Sequence, residues 1–198
     1  AIAISGTPGG DGGAALLDIS VNAVRDFGEN AIPRTDGVVF SENADSVIPT
    51  VQGVALDLGT GLLEVTVSET VDSTPTSKID LNFIVIQDNP SSTGDFIINL
   101  GADADTSVVG NPDDVTFQIQ LSEVQRVRAI ELSNTPGGDG IDPVVILFQA
   151  AAFKDVAQND NGEQSNFAVS ETADTVLPVL LSGTVDYNDG SIRLVFSE

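Results

Sequence analysis

Short apolar runs separated by turn residues dominate the chain. Residues 51–58 and 62–67 are rich in apolar side chains and flank a Gly-Thr-Gly turn, which predicts an antiparallel hairpin. Apolar and polar positions alternate along residues 115–121, as they do in a strand with one buried face. Further strands are expected at residues 16–24, 79–87, 95–100, 144–152, 179–185 and 192–196. This pattern predicts an all-β chain folded as a β-sandwich.

One segment carries the signals of a helix instead. Ser122 and Gln125 have the spacing of a capping box at the start of a helix. Val124, Val127 and Ile130 fall on one stripe of that helix, and Arg126 lies outside the stripe. We therefore expect one short helix that crosses an end of the sandwich.

The chain repeats itself at a spacing of about 129 residues. Residues 41–49 return in similar form as residues 170–178, and the pair Ser68-Glu69 returns as Ser197-Glu198. So long a period indicates a tandem array of whole domains rather than a solenoid of small units. We expect three parts: residues 1–45 form the C-terminal part of a preceding repeat, residues 46–174 a complete repeat, and residues 175–198 the N-terminal hairpin of a following repeat.

Several short motifs resemble those of the bacterial immunoglobulin-like tandem repeats found in large surface proteins. Residues 63–72 and 192–198 resemble the hairpin of those repeats that ends in Phe-Ser-Glu. Residues 152–159 resemble their closing segment, with Gln158 in place of the usual glycine, and residues 25–30 are a looser copy. The resemblance implies immunoglobulin-like sandwiches in tandem, with one short helix per repeat. It also implies an extracellular place, in adhesins, S-layers or matrix proteins, where such domains act as spacers or adhesive modules, often with calcium.

Charge and composition narrow the possible functions. The chain has 30 acidic and 7 basic residues, a net charge of −23, and neither cysteine nor histidine. Nucleic acid is therefore excluded as a partner, because phosphate binding requires clustered lysine and arginine. No apolar run approaches the ~20 residues of a membrane-spanning helix, so direct membrane insertion is not expected. Disulfides, thiolate metal sites and Ser-His-Asp or Cys-His catalysis are excluded as well, and we do not expect an enzyme.

The recurring acidic residues favour calcium, which binds six to eight oxygen ligands in proteins. Aspartate and asparagine also form turns and cap loops, so a purely structural role for these side chains remains open. Two groups of candidate ligands follow from the repeat. The group expected where the complete domain ends is Asp155, Asn159, Asp160, Glu171 and Asp174; the copy expected where that domain begins is Asp26, Asn30, Glu42 and Asp45.

These observations together predict a structural segment of an extracellular surface or filament protein. Cations would bridge the acidic joints between neighbouring repeats of the same protein and stiffen a spacer or stalk. Two alternatives remain: an adhesin module that recognises a glycan or a protein through its end loops, and a filament subunit that assembles by strand addition. Arg126 and Arg128 are expected to pair within the domain, with Glu123 or Glu131.

Overall fold

The computed structural model of the chain describes residues 4–88, 97–110, 113–138 and 142–197. Within these ranges the chain is predominantly β, as predicted, with one α-helix, α1 (Glu123–Leu132). The strands are β1 (Leu16–Ile19), β2 (Thr35–Val39), β3 (Val51–Asp57), β4 (Leu62–Val67), β5 (Ile84–Gln87), β6 (Ile97–Asn99), β7 (Ser107–Val109), β8 (Thr116–Gln120), β9 (Val145–Phe148), β10 (Gln164–Ala168), β11 (Ser170–Thr172), β12 (Leu180–Asp186) and β13 (Ser191–Phe196).

Nine of these strands form two sheets between residues 46 and 174. The five-stranded sheet has the order β11-β3-β4-β8-β7, and the four-stranded sheet has the order β10-β9-β5-β6. All neighbouring strands are antiparallel except β11 and β3, which run parallel. Apolar side chains of both sheets form one buried cluster between them, the arrangement of a β-sandwich.

The core is centred on aromatic side chains contributed by both sheets and by one loop. Phe153, from the loop after β9, is fully buried, and its ring centroid lies 5.4 Å from that of Phe117 and 6.3 Å from that of Phe148. Burial of one such side chain stabilises a fold by about 1.5–3 kcal/mol. Phe153 therefore fixes the loop that follows it, residues 154–160, against the sandwich.

The predicted hairpin of residues 51–67 is present. Strand β3 pairs antiparallel with β4, and Asp57 lies opposite Leu62 across the turn. Gly61 in this turn has a φ of 72°, a conformation that glycine adopts without steric cost. Alternate side chains of β4, Leu63, Val65 and Val67, are buried, as the alternating pattern requires.

Other strands are shorter than the pattern predicts. The expected strand at 79–87 begins only at Ile84, because Asp80 caps a 3₁₀ turn at Leu81–Phe83 and its side chain accepts a hydrogen bond from Asn82 N. The expected strand at 144–152 ends at Phe148, and Ala151 then adopts a φ of 64° in a turn. Of the strand expected at 95–100, residues 97–99 are β6, and residues 95–96 lie outside the described residues. Strands β2, β7, β10 and β11 were not predicted.

The helix is present, but its buried face is not the predicted stripe. Ser122 caps it as expected, since its side chain accepts a hydrogen bond from Gln125 N. Val124 is 73% exposed and Val127 is 43% exposed, whereas Arg126 is only 6% exposed. The inward face consists of Gln125, Arg126, Ala129 and Leu132. Arg126 thus lies outside the valine stripe, as expected, but it is Arg126 and not the two valines that faces the sandwich, because hydrogen-bonded polar groups take the inward positions.

The chain enters the sandwich at one end and leaves it at the other. The extended segment before Val51 leads into β3 at what we call the proximal end. Because β11 runs parallel to β3, with Thr172 opposite Asp57, the chain leaves where β3 ends, at the distal end. Leu58 N confirms this placement by donating a hydrogen bond to Thr172 O over 2.9 Å.

A two-stranded hairpin lies on each side of the sandwich in sequence. Strands β1 and β2 pair antiparallel, and so do β12 and β13. Their bounds reproduce those of sandwich strands at the repeat spacing of about 129 residues. Strands β1 and β2 match β9 and β10, and strands β12 and β13 match β3 and β4.

Candidate cation site at the proximal end

Three carboxylates from separate segments come together at the proximal end of the sandwich. Asp45 belongs to the extended linker before β3, Glu69 follows β4, and Asp155 lies in the loop between β9 and β10. One oxygen from each side chain lies within 4.8 Å of the other two. Asp45 is exposed, Glu69 is partly buried, and Asp155 is buried. We call these three residues the proximal acidic cluster.

Glu69 is the electrostatically unfavourable member of the cluster. Its Oε1 atom is shielded from solvent and has no hydrogen-bond partner among the described residues. Burial raises the pKa of Glu69, and the negative charges of Asp155 and Asp45 raise it further. A buried carboxylate oxygen without a donor is costly, and a bound cation would supply the missing interaction. Carboxylate oxygens are also the ligands that calcium prefers.

Asn159 connects the loop of Asp155 to the linker. Asp155 Oδ1 accepts a hydrogen bond from Asn159 N over 2.8 Å, and Asp155 Oδ2 accepts one from Asn159 Nδ2 over 2.9 Å. The same Nδ2 group lies 3.4 Å from Asp45 O, to which it donates. Three of the predicted ligands, Asp45, Asp155 and Asn159, are therefore neighbours.

The first copy of this turn has the same internal geometry. Asp26 Oδ1 accepts hydrogen bonds from Gly28 N and Asn30 N over 2.8 and 2.9 Å, and Asn30 Nδ2 donates to Asp26 Oδ2 over 3.0 Å. The side chain and the backbone N–H of Asn30 lower the pKa of Asp26. Both asparagines thus make the turn that supports the aspartate, which is the structural role considered for these residue types.

The remaining predicted ligands have other partners. Asp160 pairs with Lys154 over 2.6 Å. Glu171 Oε1 accepts a hydrogen bond from Val144 N over 2.8 Å. Its counterpart Glu42 accepts from Ala15 N over 3.1 Å and from Gly6 N over 3.0 Å. Each glutamate thus binds the residue just before a strand, Val144 before β9 for Glu171 and Ala15 before β1 for Glu42.

The sequence placed Asp155 in one group with Glu171 and Asp174, and the structure groups it differently. Asp155 lies at the proximal end, where it meets Asp45, while Asp174 follows β11 at the distal end. The parallel course of β3 and β11 separates the two linker aspartates by the length of the sandwich. Asp45 therefore meets the sandwich that follows it in sequence, whereas Asp174 contacts the sandwich that precedes it.

Asp174 is held by the buried arginine of α1. Arg126 Nη1 donates to Asp174 Oδ2 over 2.7 Å and to Leu58 O over 2.8 Å, and Arg126 Nε donates to Glu123 Oε2 over 2.7 Å. The backbone N–H of Val176 and then Arg126 lower the pKa of Asp174. The predicted pairing of Arg126 with Glu123 and of Arg128 with Glu131 is confirmed.

Glu69 is the one cluster member that the sequence did not select. The sequence did contain a signal for Glu69, because the pair Ser68-Glu69 returns as Ser197-Glu198.

Comparisons with protein-family models, with curated proteins and with solved structures found no match for this chain. In the described part of the chain, no helix has the length and apolar character needed to cross a membrane.

Proposed function

We propose that this chain is a segment of a tandem array of immunoglobulin-like β-sandwiches that acts as a cation-stiffened spacer or stalk in an extracellular surface or filament protein. The path of the chain through the sandwich carries the proposal. The linker enters at the proximal end and leaves at the distal end, because β11 is parallel to β3. Domains joined in this way follow one another as a string in which each contacts only its neighbours.

The matching geometry of the two copies supports the array. The flanking hairpins have the strand bounds of their sandwich counterparts. The residues with positive φ also correspond, since Asn22 matches Ala151 at 65° and 64°, and Glu29 matches Gln158 at 65° and 72°. Local backbone conformation is thus repeated along with the sequence, as expected when one fold is copied in series.

The exposed apolar faces of the flanking hairpins point to the same arrangement. Ile192 is 68% exposed and Leu194 is 51% exposed, while their counterparts in β4, Leu63 and Val65, are fully buried. An apolar strand face of this kind normally packs against a second sheet. Neighbouring repeats of the same protein are the proposed partners that complete these faces.

The proximal acidic cluster supports a cation at each joint. Asp45 belongs to the linker, whereas Glu69 and Asp155 belong to the sandwich that follows it. A cation bound by all three would tie the linker to that sandwich and relieve their mutual repulsion. Calcium is the proposed cation, both for this oxygen chemistry and because the related motifs of bacterial surface repeats often occur with it.

The array proposal is tested by length measurements on chains of two, three and four consecutive copies of residues 46–174. Small-angle X-ray scattering would give the maximum dimension of each chain in calcium and in a chelator. We expect the dimension to grow by the same step with each added unit in calcium, with flexibility increasing in the chelator. A dimension that hardly grows as units are added would contradict the spacer function.

A further inference from the structure

The loop Thr7–Gly12, which we call the Pro-Gly-Gly loop, contacts a turn of the sandwich, the Asp155–Gln158 turn. Gly9 lies in this contact and has a φ of 88°. A Cβ atom at Gly9 would overlap the carbonyl oxygen of Val156 and would lie 3.2 Å from Cα of Ala157. Only glycine therefore allows the loop to lie this close to the turn.

The Pro-Gly-Gly loop has a defined shape of its own. Gly10 N donates to Thr7 O over 3.1 Å, and Gly12 N donates to Ser5 O over 3.1 Å. Ser5 Oγ accepts from Thr7 N over 2.9 Å. Because these bonds lie within the first unit, the loop can present Gly9 in the same position without help from the sandwich.

The turn on the other side of the contact is equally constrained. Gln158 N donates to Asp155 O over 3.1 Å, and Val156 N donates to Thr70 O over 3.2 Å, which fastens the turn to the sandwich. Ala157 is only 4% exposed, although its counterpart in the first copy, Gly28, lies exposed. Two preformed surfaces thus meet: the Pro-Gly-Gly loop of the first unit and the Asp155–Gln158 turn of the sandwich.

We propose that the Pro-Gly-Gly loop is a docking element that fixes the orientation of one repeat relative to the next, and that its partner is the Asp155–Gln158 turn of the following repeat. This inference rests on the proposed tandem array. The sequence of the loop returns at residues 135–140, and the described part of this second copy has a matching conformation. Gly137 has a φ of 98°, and Ser133 Oγ lies 2.7 Å from Thr135 Oγ1, as Ser5 Oγ lies 2.7 Å from Thr7 Oγ1. This second copy would receive the corresponding turn of a third unit.

The experiment compares Gly9→Ala with Gly12→Ala in the 198-residue chain. Gly12 has nearly the same φ, 84°, but apart from its chain neighbours no atom of the described residues lies within 4 Å of the place that a Cβ atom would take. Gly12→Ala therefore has the same backbone strain without the contact. The chain has no cysteine, so Ser20→Cys and Ser107→Cys, both at exposed positions, allow a spin label on each side of the joint. Electron spin resonance then reports the distribution of distances between the labels.

We expect one narrow distance peak in the parent and in Gly12→Ala, and loss of that peak in Gly9→Ala. The thermal unfolding of the sandwich should be the same in both variants, because Gly9 lies outside it. A narrow peak that survives in Gly9→Ala would overturn the docking role and leave the spacer function standing. A broad distribution in the parent would instead contradict both, since the joint would then have no fixed geometry.

Discussion

At the scale of single residues, Glu69 shows how position changes the chemistry of a common side chain. The chain has 30 acidic residues, and most of the described ones lie in solvent or accept hydrogen bonds. Glu69 instead has a buried Oε1 atom without a donor and two carboxylates nearby. Burial, followed by the charges of Asp155 and Asp45, raises its pKa, so this carboxylate is harder to ionise in the folded chain than in the unfolded chain. A cation is the alternative means of stabilising the site.

We therefore predict that, without divalent cations, the melting temperatures of Glu69→Gln and of the parent diverge as pH rises. The pKa in the unfolded chain is near the reference value of 4.5, and the folded value is higher. Below the pKa of the unfolded chain, neutral Glu69 makes its full contribution to the free energy of unfolding. This contribution is lost as pH rises through the folded pKa, because ionising Glu69 costs more in the folded chain than in the unfolded chain. Glutamine stays neutral, so this variant should have the higher melting temperature at pH 7 in a chelator.

The same pair of proteins tests the metal. Added calcium should raise the melting temperature of the parent and have much less effect on Glu69→Gln. Glu163→Gln is the matched control, because Glu163 is exposed and lies outside the cluster, and this variant should respond as the parent does. An equal response of all three proteins to calcium would contradict a cation site at Glu69.

At the scale of elements, α1 shows that an apolar stripe does not decide which face of a short helix is buried. Gln125 lies inside because its Nε2 group donates to Asn99 O and Leu100 O over 3.1 and 3.3 Å. Arg126 lies inside because it binds Leu58 O, Glu123 and Asp174. Buried polar groups are tolerated when each finds a partner, and most of the partners here lie outside the helix.

The inverted helix face gives a direct stability test. Leu132→Ala should lower the free energy of unfolding by about 2–5 kcal/mol, because Leu132 is 5% exposed and its removal leaves a cavity. Val124→Ala should change it by no more than about 0.5 kcal/mol, because Val124 is 73% exposed. Urea unfolding measures both values. A loss at Val124 equal to that at Leu132 would show that the stripe packs inward after all.

At the scale of the whole molecule, charge works against the compact fold. The net charge is −23, so the acidic side chains repel one another, and only seven basic residues offset this repulsion. The structure places one of these, Arg126, in a buried position where it binds the distal linker through Asp174. The other basic residues that form ion pairs do so elsewhere on the described surface, so most of the acidic charge has no nearby cation to offset it.

The excess of acidic over basic residues predicts that the melting temperature rises with sodium chloride concentration. Salt at 0.1 M screens charges beyond about 10 Å, which weakens the long-range repulsion between acids more than the short ion pairs of Arg126. Differential scanning calorimetry between low salt and physiological salt checks the prediction. A melting temperature that falls as salt is added would mean that attractive ion pairs outweigh the repulsion.

The β character of the chain, the hairpin of residues 51–67 and the cap of α1 can all be predicted from the amino-acid sequence. These features depend on alternation, turn residues and capping, all of which act between residues close in the chain. The sequence also identified Asp45, Asp155 and Asn159 as candidate ligands, because acidic residues and asparagine recur at the repeat spacing.

Which of these acids meet, and which face of the helix is buried, depends on how the strands and loops pack together. The parallel pairing of β11 with β3 sends Asp174 to the distal end and leaves Asp45 beside Asp155 and Glu69. The inward position of Arg126 likewise depends on Leu58 O, which is 68 residues away. Such contacts join distant parts of the chain, so no local pattern of apolar and polar residues contains them.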